Sequence, residues 1–235
     1  MTRRRWIADE HTATTAALIG PHADHLIRVL RAKVGQEFDI AAADTIRRGR
    51  ITAITNDRVE FELGEQLPVA TIAHVTLLLA IFKFDRLEWA IEKCTELGVS
   101  KIIPVIARRT DAHLAAAATK RADRWRRLTL QASEQSRRTS PPEIAEPKKL
   151  SEAITTAATL RIVLNEEEQQ TSLREILDAN SCAAEIILAI GPEGGWTADE
   201  LTEFKKSGWI SATLGQTILR AETAAIAATA IAINS

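Results

Sequence analysis

Short apolar runs alternate with amphipathic segments over the C-terminal two-thirds of the chain. Residues His74 to Ile81 are almost continuously apolar, which is typical of a strand buried on both faces of a sheet. From about Phe84 apolar residues recur at helical spacing, and Gly98 follows, the residue favoured just after a helix. Further strands are predicted at 102–106, 160–164, 185–190 and 210–214, and helices at 120–138 and 221–232. This alternation indicates an α/β fold with a parallel sheet flanked by helices.

The first 72 residues follow a different pattern. Apolar and polar residues alternate at 37–40, 49–54 and 58–63, which predicts short strands of a small β-barrel. One amphipathic helix is predicted near Pro21 to Arg31. The sequence at 66–68 (Gln-Leu-Pro) marks a boundary, so we predict two domains, 1–72 and 73–235.

Composition excludes several classes of protein. Of the 235 residues, 46% are hydrophobic and 26% charged, which is typical of a globular chain and not of a disordered one. No apolar stretch approaches the roughly 20 residues that span a bilayer, and the basic start is not followed by the apolar stretch of a secretory signal. The cysteines, Cys94 and Cys182, are isolated, and the pair His22 and His25 has no third ligand in view. We therefore expect a cytoplasmic protein without a metal site.

The net charge of −1 conceals a strong segregation of charge along the chain. Residues 83–149 carry fifteen basic and nine acidic side chains, whereas residues 150–235 carry five basic and twelve acidic ones. The first of these segments is a candidate surface for a polyanion. A solvated helix face is the alternative, and composition alone favours it.

The most distinctive local motif is Ile190-Gly-Pro-Glu-Gly-Gly-Trp196. It follows a predicted strand and precedes a capping box, Thr197-Ala-Asp-Glu200, that opens a helix. Ligands of open α/β sheets bind at the carboxyl ends of strands, and glycines permit close approach of the backbone to a ligand. The spacing matches neither the dinucleotide-binding fingerprint nor a P-loop. A tight turn between strand and helix is the alternative interpretation.

A second motif, Leu214-Gly-Gln-Thr-Ile-Leu-Arg-Ala-Glu-Thr-Ala224, also follows a strand and precedes a helix. Its two charges, Arg220 and Glu222, stand among small and apolar residues, where a charged group must be paired or face a ligand. An ion pair between them at the helix start is the simpler alternative. The last helix is apolar nearly all round, which predicts burial in the core or in an interface.

Together these two motifs resemble those of the bacterial small-subunit (16S) ribosomal RNA uridine N3-methyltransferases, a family of the SPOUT superfamily of knotted enzymes. Residues 22–35, 83–104 and 131–138 agree with the resemblance, which covers essentially the whole chain. Thr217 and Thr110 depart from it, since the family pattern has a basic residue and a serine there. The resemblance implies a PUA-like N-terminal β-barrel that contributes to RNA binding and a C-terminal sheet with a trefoil knot. It also implies a homodimer whose cofactor pocket lies near the interface.

The resemblance further implies the residues of the site. Those expected to bind S-adenosyl-L-methionine are Leu164, Asn165, Ile190, Gly191, Glu193, Gly194, Gly195, Leu214, Gly215, Ile218, Leu219, Thr223 and Ala224. Arg220 is expected to stabilise the negative charge that develops on the uracil ring when N3 loses its proton. The proton acceptor is Glu193, Glu222 or water, and the sequence leaves these three open.

The atom N3 lies on the Watson–Crick edge, so the target uridine must be unpaired or flipped out. Basic side chains would contact phosphates and supply affinity without sequence selectivity. Lys120, Arg124, Arg127 and Arg138 are expected on one face of the predicted helix at 120–138. The candidate RNA-binding residues are Arg3, Arg4, Arg5, Arg28, Arg31, Lys83, Arg108, Arg109, Arg124, Arg127, Arg137 and Arg138. The alternatives are a SPOUT methyltransferase that acts on another RNA site, and a non-catalytic RNA-binding protein of ribosome assembly.

Overall fold

The structure, a computed structural model, describes residues 5–42, 45–67, 74–136 and 138–235. Two compact units are present: Met1–Thr71 with Ser133–Pro141, and Ile72–Ala132 with Pro142–Ser235. Of the candidate RNA contacts, Arg3, Arg4 and Arg137 lie outside the described residues. Within the described ranges, no helix is both long enough and apolar enough to cross a membrane.

The first unit contains a six-stranded, mostly antiparallel sheet in the order β1-β4-β5-β6-β3-β2. Its strands are β1 (Arg5–Ile7), β2 (Glu10–His11), β3 (Thr15–Ile19), β4 (Glu37–Ala42), β5 (Thr45–Ile54) and β6 (Arg58–Leu67). The segment 5–11 joins both edges, because Ala8 N–H donates to Ala41 O (2.8 Å) and Asp9 N–H donates to Ala17 O (3.0 Å). The sheet therefore curls on itself around a small apolar core that includes Trp6.

The helix predicted near Pro21 to Arg31 is present over residues 21–29, although its second half is π-helical. Helix α1 (Pro21–Asp24) continues as a π-helical turn, His25–Val29, and ends before Arg31, whose φ is +51°. Ala32 N–H donates back to Leu26 O (3.0 Å), which closes the end of this helical segment. Arg31 is thereby held in a backbone conformation that residues other than glycine rarely adopt.

His22 connects the two segments of the first unit, 1–71 and 133–141, whose grouping the sequence does not predict. Its Nδ1 lies 3.0 Å from the Asp9 carboxylate, and its Nε2 lies 2.6 Å from Glu134 Oε1. The hydrogen bond to Asp9, followed by that to Glu134, raises the pKa of His22 from 6.5 to about 10. A protonated imidazole thus joins α1 to the end of the long helix described below.

The second unit is built on an entirely parallel sheet in the order β10-β8-β7-β12-β11-β13, with β9 also paired to β8. Its strands are β7 (His74–Ala80), β8 (Lys101–Ile106), β9 (Glu143–Ile144), β10 (Lys148–Lys149), β11 (Leu160–Leu164), β12 (Glu185–Ile190) and β13 (Ile210–Ala212). Its helices are α2 (Phe84–Leu97), α3 (Ala112–Gln135), α4 (Leu150–Ala153), α5 (Leu173–Ala179), α6 (Ala198–Lys206) and α7 (Ala221–Ile233). The predicted α/β class is confirmed; the trefoil knot stays a prediction.

Both faces of this sheet are buried, as the apolar character of β7 predicts. Leu77 and Leu79 belong to a core formed with α2, α3, α5 and α7, whereas Leu78 lies in a second core with Phe204 and Trp209. The predicted capping box at the start of α6 is present, since the Thr197 hydroxyl accepts a hydrogen bond from Glu200 N–H (3.3 Å). These features fix the sheet and leave its carboxyl edge for ligands.

The helix predicted at 120–138 is wrong at both ends, because α3 runs from Ala112 to Gln135. Its early start is explained by the alanines at 115–118, the strongest helix formers. Beyond its end, Arg138 N–H donates to Ser133 O (2.9 Å), and two prolines follow. Arg138 therefore does not share a helical face with Lys120, Arg124 and Arg127.

Candidate active site

A cavity of about 280 Å³ lies where three neighbouring strands of the parallel sheet end. The segments that leave β11, β12 and β13 all contribute to its walls, together with the starts of α6 and α7. This is the position at which open α/β sheets bind ligands. The two glycine-containing motifs, which are separate in sequence, form two walls of the same cavity.

The first of them, the glycine loop (residues 191–196), is a compact turn against buried aromatic rings. Gly195 N–H donates to Pro192 O (2.8 Å), and Gly195 has a φ of +69°, which favours glycine. The Trp196 ring is buried and packs edge-on against Phe204, with centroids 5.0 Å apart. A methyl group on Gly191 would lie 3.2 Å from Trp196 Nε1, so the turn closes onto the indole without space for a side chain.

The second motif connects β13 to α7. Gly215 has a φ of +132°, and its N–H donates to Thr213 Oγ1 (3.2 Å). The segment then exposes Ile218, which is 78% accessible, beside the cavity. An apolar side chain left open at a cavity mouth is available to pack against a flat, apolar ligand surface.

Acidic side chains stand on the cavity walls. Glu166 and Glu167 from the loop after β11, and Glu193 from the glycine loop, line the cavity and are exposed. The turn that carries the first two is shaped by Asn165 Oδ1, which accepts from Glu167 N–H (3.1 Å). The cavity is therefore suited to a ligand with positive charge.

The structure places most of the residues predicted to bind the cofactor around this cavity. Gly194 and Thr223 are the two that are not among its lining residues. Sequence reasoning missed other lining residues in the same segments and assigned Arg109 to RNA. Those additional lining residues include Glu166, Glu167, Pro192, Trp196, Thr213 and Gln216. Among the residues that the structure describes, no cluster of three or more His, Cys, Asp or Glu side chains is placed to hold a metal ion.

The three candidate catalytic side chains lie in different environments. Arg220 is exposed at the N-cap of α7, between Leu219 and Ala221, which both line the cavity. Glu222 is only 5% accessible and faces Arg86 on α2, with Oε1 3.9 Å from Nε. An Arg220–Glu222 ion pair is not formed in the described part of the chain. Arg220 thus has no ion pair in the described ranges, whereas Glu222 is paired with Arg86 and is not among the residues that line the cavity.

Several candidate RNA-binding residues are already paired within the protein. Arg124 contacts the Glu88 carboxylate at 2.8 Å, Arg108 contacts Asp199 at 2.7 Å, and Arg28 contacts Asp24 at 3.2 Å. Arg5 and Arg138 are partly buried, and burial lowers the pKa of Arg138 to about 10. The candidates that are exposed and have no ion pair among the described residues are Arg31, Lys83, Arg109 and Arg127, and the Arg109 guanidinium donates to backbone carbonyls instead.

Comparison with known proteins assigns the family. Residues 70–233 match the family described as RNA methyltransferase domain. The ribosomal RNA small subunit methyltransferase E of Rickettsia conorii is 33% identical over 214 residues, which cover 89% of this chain and 85% of the relative. Its namesake in Synechocystis is 32% identical over 91% of this chain and 69% of the relative.

Solved structures agree with these relatives. The ribosomal RNA small subunit methyltransferase E from Neisseria gonorrhoeae, bound to S-adenosyl methionine, matches with a TM-score of 0.84 and 28% identity. The match covers 97% of this chain and 96% of that structure. The chain belongs to the ribosomal RNA small subunit methyltransferase E family.

Proposed function

We propose that this chain transfers a methyl group from S-adenosylmethionine to N3 of one uridine in small-subunit ribosomal RNA. The observation that supports this most is that both glycine-containing motifs wall one cavity at the carboxyl edge of the sheet. A relative with the same fold is known with S-adenosylmethionine bound. Base N3 as the target atom follows from the resemblance described above.

The cavity fits this cofactor chemically. Ile190, Leu214 and Ile218 offer apolar surface to a planar base, and the backbone of the glycine loop offers polar groups at its edge. The cofactor carries a positive sulfonium and an ammonium group, which suits the carboxylates of Glu166 and Glu193.

The residues of the chain have two tasks in the reaction. When bound, the cofactor supplies a methyl group activated by the positive sulfonium. Arg220 stabilises the negative charge on the uracil ring once N3 is deprotonated, because its exposed side chain has no ion pair among the described residues and its neighbours Leu219 and Ala221 line the cavity. Glu193 or water takes the proton, since Glu193 lines the cavity and Glu222 faces α2 instead.

We propose that the chain works as a homodimer. Helix α7 carries apolar residues all along its length, and Ile226, Ile231 and Ile233 are only partly covered by the core. Helix α2, which packs beside α7, exposes Trp89 with 48% of its surface accessible. Such a surface favours a second copy of the chain. Sedimentation equilibrium of the full chain tests this, and a monomer at micromolar concentration would contradict it.

The decisive experiment maps the methyl group on the RNA. Small ribosomal subunits from cells that lack this activity are incubated with the protein and S-adenosylmethionine, and reverse-transcription stops are then mapped. One new stop at a uridine, dependent on the cofactor, is the expected result, because methylation at N3 blocks base pairing. Arg220→Ala should abolish the stop yet leave the thermal midpoint unchanged, since the side chain is exposed.

Other outcomes of this experiment would support one of the two alternative functions. A stop at a different base, or a methyl group found by mass spectrometry away from N3, would support a methyltransferase with another target. Binding of the subunits with no transfer, although the cofactor is bound, would support an assembly protein without catalysis. Normal turnover by the Arg220→Ala variant would remove Arg220 from the role proposed here.

A further inference from the structure

Arg109 lies on a turn that is fixed to the parallel sheet. The turn connects β8 to α3, and Thr110 braces it: Thr110 Oγ1 accepts a hydrogen bond from Ala107 N–H (3.1 Å) and donates one to Ile81 O (3.1 Å). Thr110 N–H also donates to Ala107 O (3.1 Å). The backbone of Arg109 is therefore held relative to β7 and β8 before any ligand binds.

The Arg109 side chain contacts the glycine loop, while the residue as a whole stays exposed. Its guanidinium donates to the backbone carbonyl of Gly194 and, at 3.4 Å, to that of Trp196. Its stem covers Gly194, because Cδ lies 3.2 Å from the place of a methyl group on that residue. Hydrogen bonds from a charged donor are stronger than neutral ones, so two carbonyls of the glycine loop are tied to a fixed turn.

The preceding residue, Arg108, has a different set of partners. Its guanidinium lies 2.7 Å from Asp199 and 3.7 Å from Glu203 on α6. Its backbone N–H donates to the buried carboxylate of Glu200 (2.8 Å). Arg108 therefore contacts the helix after the glycine loop, whereas Arg109 contacts the loop itself, and the pair provides its own matched control.

We infer that Arg109 is a positioning residue, which holds residues 193–196 in the conformation that walls the cofactor cavity and thereby sets the affinity for S-adenosylmethionine. This inference rests on the proposed function for the identity of the cofactor. It replaces the RNA contact that the sequence predicts for Arg109. Loss of the guanidinium frees the Gly194 and Trp196 carbonyls, and the unliganded loop then samples conformations that bind less tightly.

The test uses the full-length protein and the variants Arg109→Ala, Arg109→Lys and Arg108→Ala. Hydrogen–deuterium exchange of the unliganded proteins reports on a peptide that contains the glycine loop, and calorimetry measures the binding of S-adenosylmethionine. Arg109→Ala should speed loop exchange and weaken binding by about tenfold or more, the scale expected for a charged hydrogen bond. Arg109→Lys, which keeps the charge without the planar fork, should fall in between. Arg108→Ala should bind as the wild type does.

Three results separate the alternatives. Unchanged loop exchange and cofactor affinity in Arg109→Ala, together with weaker RNA binding and a smaller salt dependence, would overturn the inference in favour of a phosphate contact. Weaker cofactor binding without faster loop exchange would overturn it in favour of a direct contact with the ligand. A wild-type protein that does not bind S-adenosylmethionine would refute the proposed cofactor, while faster loop exchange in Arg109→Ala would still support the positioning role.

Discussion

Replacement of Gly191 by alanine tests how tightly the glycine loop packs against the aromatic core. The new methyl group would lie 3.2 Å from Nε1 and 3.3 Å from Cε2 of Trp196. Both distances are shorter than the optimal separation of two carbon atoms, which is about 3.5–4.0 Å. The indole cannot simply move away, because it packs on Phe204, which in turn packs on Trp209, both with centroids 5.0 Å apart. Overpacking lowers the free energy of unfolding by about 1–3 kcal/mol. Because the clash is relieved by a shift of a few tenths of an ångström, we expect a loss of about 1–2 kcal/mol for Gly191→Ala.

Thermal unfolding measures this loss. For a chain of this length, 1 kcal/mol corresponds to about 2–4 °C in the midpoint, so the variant should melt about 2–8 °C below the wild type. Gly64→Ala is the matched control, because its methyl group would meet Arg48 O at 3.4 Å, an ordinary contact. That substitution restricts the unfolded chain and should be neutral or slightly stabilising. A midpoint for Gly191→Ala that is no lower than that of Gly64→Ala would refute the packing argument.

Two further predictions concern charge. Since the pKa of His22 is raised from 6.5 to about 10, its stabilisation is complete below pH 6.5 and is lost between pH 6.5 and 10. Urea unfolding at pH 6 should therefore give the wild type a free energy of unfolding about 2 kcal/mol higher than that of His22→Gln, after a discount for solvent screening. This difference should close by pH 10, and a difference that stays constant with pH would contradict the argument. On α3, Arg127→Ala should lower the slope of log affinity for RNA against log salt concentration by about 0.7–1. Arg124→Ala should leave the slope unchanged, because Glu88 already compensates the charge of Arg124. Equal slopes for the two variants would contradict the assignment.

The parts of the fold that could be predicted from sequence are those with strong periodicity. The apolar run of β7, the helical stripe of α2 and the capping box at Thr197 each identify their element, because burial and hydrogen bonding act over a few neighbouring residues. Helix α5 was missed, although Ser172 and Glu175 form a capping box that signals its start. The two-residue strands β9 and β10 carry no periodicity, since they form only by pairing with β8.

The candidate site could be predicted as segments but not as contacts. The glycines of 191–195 signal a ligand loop because they relax local backbone constraints. The partners of Arg109 and Glu222 depend on which loops and helices the topology brings together. The separation between Arg109 and Gly194, 85 residues, is too long for any local pattern to indicate. Sequence alone therefore predicts both arginines at 108–109 as RNA contacts.

The charge pattern shows the same limit, with a consequence for function. The excess of basic residues in 83–149 predicts a broad surface for RNA, but the second unit uses many of these cations internally. Glu88 forms ion pairs with both Arg121 and Arg124. Arg126 forms ion pairs with Asp123 and Glu146. Paired side chains lose much of their long-range attraction for phosphates, so the number of basic residues overstates the electrostatic contribution to RNA affinity. For the function proposed above, selection of one uridine would then depend more on the fit of an exposed base than on the charge of α3.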